Sequence, residues 1–192
     1  MIEIAENTKR RISGIIDINY NNQFETIINY RIIGNINKIK EFDPNNIDVF
    51  IAIGDTYERE KYFYKIKDMG YDIQSLISTQ TIISKHALIK DGVFINSGAI
   101  INAKSVVNEN TIVNTGAIID HETIIGAHSH ICPGAKCAGR VSIGNNTFVG
   151  IGANIIDNII IGDNVTIGAG SVIIEDVESN STVVGIPGRK IK

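Results

Sequence analysis

The chain has 192 residues, a hydrophobic content of 43% and three prolines, which argues against a disordered protein and leaves room for two small units. Eighteen Lys and Arg residues against 21 Asp and Glu give a formal net charge of −3, so no basic patch predicts binding to nucleic acid or anionic lipid. The start lacks the charged leader and apolar core of a signal peptide, and two cysteines five positions apart make no disulfide framework. We expect a cytoplasmic protein without membrane insertion.

The first eighty residues alternate between helical and strand patterns, which predicts a small parallel α/β layer. Nucleotide-binding layers of this kind open with a strand and a Gly-rich turn onto a helix. Here the chain starts in what looks like that helix, so we expect a layer that lacks the first strand and the Gly-rich loop. The predicted elements are the end of a helix at 2–11, a strand at 13–18 ending in Asp17, a strand at 30–33, a short helix capped by Asn35, a strand at 48–53 closed by Gly54, a helix at 56–69 capped by Thr56, and a strand at 71–77.

From Ile83 to Ile173 an aliphatic residue, or Cys137 in its place, returns at every sixth position through sixteen units. The fifth position of each unit is Ala, Ser, Thr or Val, with the larger Ile159 as the exception. A period of six fits a strand-and-bend unit in which positions one and five face inward, and three units close a coil of eighteen residues. The repeats therefore predict a left-handed parallel β-helix of a little over five coils.

A transmembrane helix, a collagen-like chain and an ice-binding solenoid do not fit this repeat. Charges and amides interrupt every apolar run, which excludes a transmembrane helix, and Gly does not recur at every third residue, as collagen requires. Regular Thr rows, which an ice-binding solenoid would need, are absent. We expect a small α/β domain at 1–78, the β-helix at 79–178 and a C-terminal capping tail at 179–192.

The two cysteines occupy different positions in the repeat. Cys137 takes an inward position, so we expect a buried thiol. Cys132 falls at a corner, where we expect it to be exposed, without a nucleophilic role.

The segment Asp120-His121-Glu122 is the most unusual departure from the repeat. His121 points outward, because the inward positions of its unit belong to its neighbours on either side. Imidazole can accept a proton near neutral pH, and an adjacent carboxylate can hold its tautomer. Gly139 follows one coil later and leaves space for a substrate beside the imidazole.

A metal site is the competing interpretation of the histidines. Carbonic anhydrases of the β-helix type gather three histidines, two of them two coils apart and the third five residues on. His86 and His121 are 35 residues apart, one short of two coils, and position 126 is glycine. His128 and His130 lie on another edge, so we expect no zinc site.

Several motifs together resemble the bacterial sugar acetyltransferases of the PglD/NeuD type. They are Ile119-Asp-His-Glu-Thr-Ile-Ile-Gly126, Ser129-His130, Gly134-Ala-Lys-Cys-Ala-Gly139 and Val184-Gly-Ile-Pro-Gly-Arg189, with Ile15-Ile-Asp17 and Phe50-Ile-Ala-Ile-Gly-Asp55 in the N-terminal part. The resemblance implies β-helical homotrimers that use acetyl-CoA in making nucleotide-activated amino sugars or sialic acids for surface glycans. It also implies active sites between subunits. Members of this family begin with a strand and a Gly-rich loop that carries a further histidine.

The resemblance assigns roles to individual residues. His121 is implied as the general base and Glu122 as its carboxylate partner, with no metal. The residues implied for acetyl-CoA are His130, Gly139, Gly168, Gly170, Gly185 and Pro187, and those implied for the sugar nucleotide are Asp17, Gly54 and Arg59. We expect acetyl transfer to the amine of a nucleotide-linked amino sugar. Transfer to a hydroxyl of sialic acid or a related sugar, and an inactive β-helical scaffold, stay open as alternatives.

Overall fold

The computed structural model describes residues 1–21 and 23–192, and its first part is a small α/β layer. Strand β1 pairs in parallel with β3, and β2 pairs antiparallel with β3, giving a three-stranded sheet in the order β1-β3-β2. The elements are α1 Ile2–Asn7, β1 Ile15–Ile16, β2 Thr26–Ile27, β3 Tyr30–Gly34, two 3₁₀ helices at Ile36–Glu41 and Pro44–Asn46, and α2 Thr56–Asp68.

Local sequence signals set the helix starts in this layer. Asn35 caps the first 3₁₀ helix through its side chain, which accepts from the N–H of Asn37, as predicted. The cap of α2 is Asp55, whose carboxylate accepts from the N–H of Glu58, so the prediction of Thr56 as the cap was wrong by one residue.

Two predicted strands are largely missing. In the described part of the chain, 48–53 and 71–75 share only an isolated parallel bridge between Val49 and Ile73. A strand forms only where a neighbour accepts and donates its backbone hydrogen bonds. Segment 50–53 is apolar enough for a central strand, but none of the described residues pairs with it.

The remaining strands form the predicted left-handed β-helix, whose coils repeat at eighteen residues. Ile112 pairs with His130, and His130 pairs with Phe148, both in parallel. Every third strand up to β20 joins the same sheet: sheet I contains β4, β7, β10, β13, β16 and β19, sheet II β5, β8, β11, β14, β17 and β20, and sheet III β6, β9, β12, β15 and β18. At the C-terminal end, β21 adds to sheet I in parallel with β19, and β22 pairs antiparallel with β21. Their bounds are β4 Leu76–Ile77, β5 Ile82–Ile83, β6 Leu88–Ile89, β7 Phe94–Ile95, β8 Ile100–Ile101, β9 Val106–Val107, β10 Ile112–Val113, β11 Ile118–Ile119, β12 Ile124–Ile125, β13 His130–Ile131, β14 Lys136–Cys137, β15 Ser142–Ile143, β16 Phe148–Val149, β17 Asn154–Ile155, β18 Ile160–Ile161, β19 Thr166–Ile167, β20 Val172–Ile173, β21 Thr182–Val184 and β22 Arg189–Lys190.

The core of the β-helix consists of the two inward positions of each unit. From Ile95 onward the first positions are buried side chains, and Cys137 takes its place among them as predicted. Where the fifth position between 105 and 147 is Ser or Thr, its hydroxyl donates to a carbonyl fifteen residues on, as Thr123 does to Ala138 at 2.9 Å. These units therefore accept polar residues inside without leaving their hydroxyls unpaired.

Cys132 is buried, contrary to the prediction that it is exposed. The corner residues Asn114 and Gly150 stand one coil before and one coil after it, so its small side chain is enclosed by the stack. Burial raises the pKa of its thiol to about 11 and that of Cys137 to about 12. Both thiols stay protonated at neutral pH, which agrees with a structural role.

The α/β layer packs against the outer face of sheet I. Ile4 and Ala5 of α1 form one apolar cluster with Leu76, Phe94 and Ile112. No helix in the described ranges 1–21 and 23–192 has the length and apolar character needed to cross a membrane.

Candidate active site

His121 occupies the corner between β11 of sheet II and β12 of sheet III, with its side chain half exposed. Asp120 fixes this corner, because its carboxylate accepts from the N–H of His121 at 2.7 Å and from the amide of Asn102 at 2.8 Å. The bond from Asn102, followed by that from His121, lowers the pKa of Asp120 below its usual value. The carboxylate holds the backbone, and the imidazole is left pointing outward.

Gly139 lies directly against this imidazole. A Cβ at position 139 would lie 2.6 Å from both Cε1 and Nε2 of His121. The space left by the missing side chain is therefore taken by the ring itself, which corrects the expectation that it is free for a substrate. The glycine instead allows the ring to stack against the neighbouring coil.

Glu122 is shared between His121 and two cations. Its Oε2 lies 3.5 Å from Nδ1 of His121, and the same oxygen accepts from Nε of Arg140 at 2.9 Å. Lys104 Nζ lies 3.4 Å from the other oxygen. The bond from Arg140, and then that from Lys104, lowers the pKa of Glu122, so the carboxylate stays ionised. Sequence reasoning missed both cations, although Lys104, Glu122 and Arg140 follow one another at intervals of eighteen.

His130 projects from sheet I toward the α/β layer and is held neutral. Its Nδ1 lies 3.4 Å from the carbonyl of Gly54, and its Nε2 lies 3.2 Å from the amide nitrogen of Asn114. The Oδ1 of Asn114 already accepts from Asn96, so its amide nitrogen faces the imidazole. Burial, together with the charge of Arg59, lowers the pKa of His130 to about 4.

Arg59 is buried, with 1% of its surface exposed, and joins the layer to the β-helix. Its guanidinium donates to the carbonyls of Asn110 at 3.0 Å and His128 at 2.6 Å on the β-helix, and to that of Gly54 at 2.9 Å in the layer. Burial lowers its pKa to about 10, so it remains charged. The structure does not bring this side chain to a surface where a sugar nucleotide would contact it; Arg59 positions the backbone around Gly54 instead.

Asp17, Gly54 and His130 border a single cleft of about 1440 Å³ between the layer and sheet I. The carboxylate of Asp17 accepts from the N–H of Asn19 at 2.7 Å and lies at the end of β1. Asn114 lines the same cleft and was missed by sequence reasoning. Polar groups from the two parts of the chain thus meet in one cleft.

The remaining candidate residues cluster near the C-terminal end of the β-helix. Gly168 and Gly170 follow β19, and Gly170 adopts a φ of +67°. Gly185 lies beside them, because its N–H donates to Ser171 Oγ at 3.1 Å and its carbonyl accepts from Val172. Pro187 is in the turn between β21 and β22 and follows a cis peptide bond.

The topology separates His121 from the cleft within one chain. In a three-sided coil, the corner between sheets II and III lies opposite sheet I, which carries His130 and the α/β layer. One chain therefore presents His121 and Gly139 on one side and His130, Asp17 and Gly54 on the other.

Metal ligands are not gathered anywhere in residues 1–21 and 23–192, where no group of three or more His, Cys, Asp or Glu side chains is arranged to hold an ion. His128 is enclosed instead by protein: its Nδ1 meets the amide of Asn110 at 2.8 Å, and its ring packs edge-on against Phe63.

Comparisons with known proteins find related family models and related solved structures. Residues 1–66 match the model of the PglD N-terminal domain, and residues 140–175 match that of the bacterial transferase hexapeptide. A histidine-to-asparagine variant of perosamine N-acetyltransferase from Caulobacter crescentus, in complex with CoA and GDP-perosamine, is 28% identical with a TM-score of 0.93; the match covers 100% of this chain and 90% of that one.

Two further solved structures are similar over nearly their whole length. The acetyltransferase domain of PglB from Neisseria gonorrhoeae, in complex with acetyl coenzyme A, is 28% identical with a TM-score of 0.92 and coverage of 98% and 91%. WeeI from Acinetobacter baumannii is 24% identical with a TM-score of 0.92 and coverage of 99% and 92%, which shows a shared fold. Together the matches confirm the resemblance to the PglD/NeuD type and identify an acyltransferase.

Proposed function

We propose that this acyltransferase, which resembles the PglD/NeuD-type sugar acetyltransferases, transfers the acetyl group of acetyl-CoA to the amine of a nucleotide-linked amino sugar. The observation that carries the proposal is the corner at His121, where an outward imidazole lies against Gly139 and beside an ionised carboxylate. Similarity to solved acetyltransferases along the whole chain supports it.

The chemistry follows from the groups at this corner. Neutral His121 takes the proton of the acceptor amine as the nitrogen attacks the thioester carbonyl, and Glu122 stabilises the imidazolium that forms. The N–H of Gly139 has no hydrogen-bond partner among the described residues, so it can donate to the oxyanion of the tetrahedral intermediate. The intermediate then expels the thiolate of CoA. No acyl-enzyme is required, in agreement with two buried, protonated cysteines.

The separation of His121 from the cleft supports a site shared between subunits of a homotrimer. The acceptor would bind in the cleft of one subunit, through Asp17, Gly54 and His130, and His121 would come from its neighbour. Sheet III offers a surface for such contact, because Leu88, Ile124 and Ile160 stand outward on it with 48%, 46% and 59% of their surfaces exposed. The glycines near the C-terminal end would border acetyl-CoA.

An amine acceptor is favoured over a hydroxyl by the match to perosamine N-acetyltransferase, which was solved with a nucleotide-linked amino sugar. The sialic acid O-acetyltransferase alternative has no comparable observation in its support, and the identification as an acyltransferase argues against the scaffold alternative.

The test is titration of acetyl-CoA into the protein, followed by an assay of thiol release with GDP- and UDP-linked 4-amino-4-deoxy sugars. We expect release of CoA that depends on the amino sugar, with the acetyl group recovered on nitrogen. The matched control is the same nucleotide sugar with a 4-hydroxyl group. Equal release with both compounds, or transfer to the hydroxyl alone, would overturn the assignment to an amine.

A further inference from the structure

Three charged residues stack in one column at the corner of the β-helix that carries His121. This charged column consists of Lys104, Glu122 and Arg140, which stand one coil apart, and the backbone N–H of Arg140 donates to the carbonyl of His121 at 2.9 Å. All three have a left-handed backbone, with φ of +62°, +59° and +60°. Elsewhere in the β-helix and the C-terminal tail, the residues with positive φ are Gly or Asn, apart from His128.

Stability does not account for these side chains. A left-handed backbone costs free energy for residues with a Cβ, and Asn tolerates it better than Lys, Glu or Arg. Asn158 follows Arg140 in the same column with a φ of +60°, so asparagine fits this corner. The ion pairs that the column gains are exposed, because the side chains of Lys104 and Arg140 keep 73% and 62% of their surfaces in solvent, and such pairs contribute little. Unfavourable backbone that persists without a stabilising contact points to a functional site.

The guanidinium of Arg140 is only partly used within the chain. Its Nε donates to Oε2 of Glu122 at 2.9 Å, and its two terminal nitrogens donate to no acceptor among residues 1–21 and 23–192. The carboxylate thus orients the guanidinium and leaves donors free on an exposed side chain. A planar fork of N–H donors matches two oxygens of a phosphate group. With Lys104 as a second cation against one carboxylate, the column has a positive net charge.

We propose that Arg140, together with Lys104, binds the diphosphate of the nucleotide-linked acceptor and thereby positions its amine at His121. This role rests on the proposed function, in which His121 of one subunit meets an acceptor held by its neighbour. Acetyl-CoA also carries phosphates, but its long pantetheine arm separates them from the thioester that reacts at His121. In a nucleotide-linked 4-amino sugar, only the pyranose ring separates the amine from the diphosphate. Arg140 is hydrogen-bonded to the backbone of His121 and is therefore within reach of the acceptor's phosphates.

The test is steady-state kinetics of Arg140→Asn with GDP- and UDP-linked 4-amino sugars, because asparagine removes the guanidinium and suits the left-handed backbone. We expect KM for the amino sugar to rise by roughly 10- to 100-fold, the effect of losing a hydrogen bond to a charged group. Glu122 stays ionised at pH 7.5, so kcat should change by less than about threefold. The midpoint of thermal unfolding should stay equal or rise. Lys104→Asn should raise KM less, and Lys61→Asn, which removes an exposed ion pair from α2, should change neither constant.

Calorimetric titration of GDP and UDP tests the phosphate contact without turnover. Weaker binding to Arg140→Asn, in a protein whose wild type acetylates no amino sugar, would uphold the phosphate site and overturn acetyl transfer. An unchanged KM for the amino sugar would overturn the proposal. If acetyl-CoA binding weakens instead, the column serves the phosphates of CoA, and if the variant sediments as a smaller species than the wild type, the column is a subunit contact.

Discussion

Gly139 and His121 are in contact across one coil of the β-helix, such that a methyl group on Gly139 would lie 2.6 Å from Nε2 of the imidazole. Gly139 has no positive φ, so a side chain is excluded there by the imidazole and not by backbone strain. The ring is half exposed and can swing away.

Gly139→Ala should therefore fold normally but displace the imidazole, and we expect turnover to fall about 100-fold, because misplaced catalytic groups lose most of their effect. Steady-state kinetics and thermal melting check this together. Gly116→Ala is the control. A Cβ at position 116 meets nothing within 4 Å, but the backbone has a φ of +64°. The substitution should therefore lower the free energy of unfolding by about 1–2 kcal/mol and leave turnover unchanged. Unaltered turnover in Gly139→Ala would separate His121 from the reaction.

His121→Ala removes the proposed general base itself. General-base catalysis contributes about 10²–10⁴-fold, so turnover should fall by that factor while acetyl-CoA binding, measured by calorimetry, changes little. His86→Ala, at the same kind of corner two coils earlier, serves as the control and should retain full activity. A fully active His121→Ala protein would remove the assignment.

The separation of His121 from His130 predicts complementation between subunits. The His121→Ala protein and the His130→Ala protein should each be nearly inactive. Unfolding and refolding an equal mixture should restore about one quarter of wild-type activity, because one site in four pairs an intact His121 with an intact His130 from its neighbour. Sites contained within single subunits would give no recovery. Sedimentation should show that the mixture is trimeric.

How far the sequence predicted this structure depends on whether a feature is periodic. Burial of Ile119 and Ile125 follows from the period of six, since any residue at those positions must face the axis. The outward direction of His121 follows from its position in the same six-residue unit, between the two inward positions. Asp48–Ile53 shows the limit, because its apolar character predicts burial but does not supply the neighbour that a strand needs.

The role of Arg59 could not be predicted for a related reason. On α2 it reads as one of several charged residues in an amphipathic helix, and only tertiary packing brings the carbonyls of Asn110 and His128 to its guanidinium. Cys132 was placed at the surface because it lies at a corner, but the burial of a corner depends on the coils before and after it.

Arg140 and His121 share the carboxylate of Glu122, and removal of Arg140 should raise the pKa of that carboxylate. The hydrogen bond from Arg140 is the largest cause of the lowered pKa of Glu122, so in Arg140→Gln the carboxylate should take up a proton at a higher pH than in the wild type. An NMR titration of the Glu122 carboxyl carbon measures the change.

Lys190→Gln is the matched control, because Lys190 pairs with Glu178 in an exposed ion pair away from this corner. A pKa of Glu122 that does not rise in Arg140→Gln, or one that rises equally in Lys190→Gln, would contradict the proposed arrangement of Arg140 and Glu122.

His128 should make the fold sensitive to acid. Burial, reinforced by the charge of Arg59 and opposed by Glu60 and Glu109, lowers its pKa in the folded state. The folded protein therefore binds fewer protons than the unfolded chain, so the stability associated with neutral His128 is complete above about pH 6.5 and is lost as the pH falls toward the folded-state pKa.

The His128→Asn variant tests this. Asparagine suits the backbone at this position, because His128 has a φ of +60° and the residues one coil before and after it, Asn110 and Asn146, are asparagines with positive φ. At pH 7.5 the variant should be somewhat less stable, having lost the packing against Phe63. Between pH 6.5 and pH 5 the wild type should lose stability relative to the variant, by at most about 1.4 kcal/mol per pH unit for one proton. Urea unfolding at several pH values measures the difference, and the lowered pKa of His130 cancels because both proteins share it. Parallel curves of unfolding free energy against pH for the two proteins would show that burial does not lower the pKa of His128.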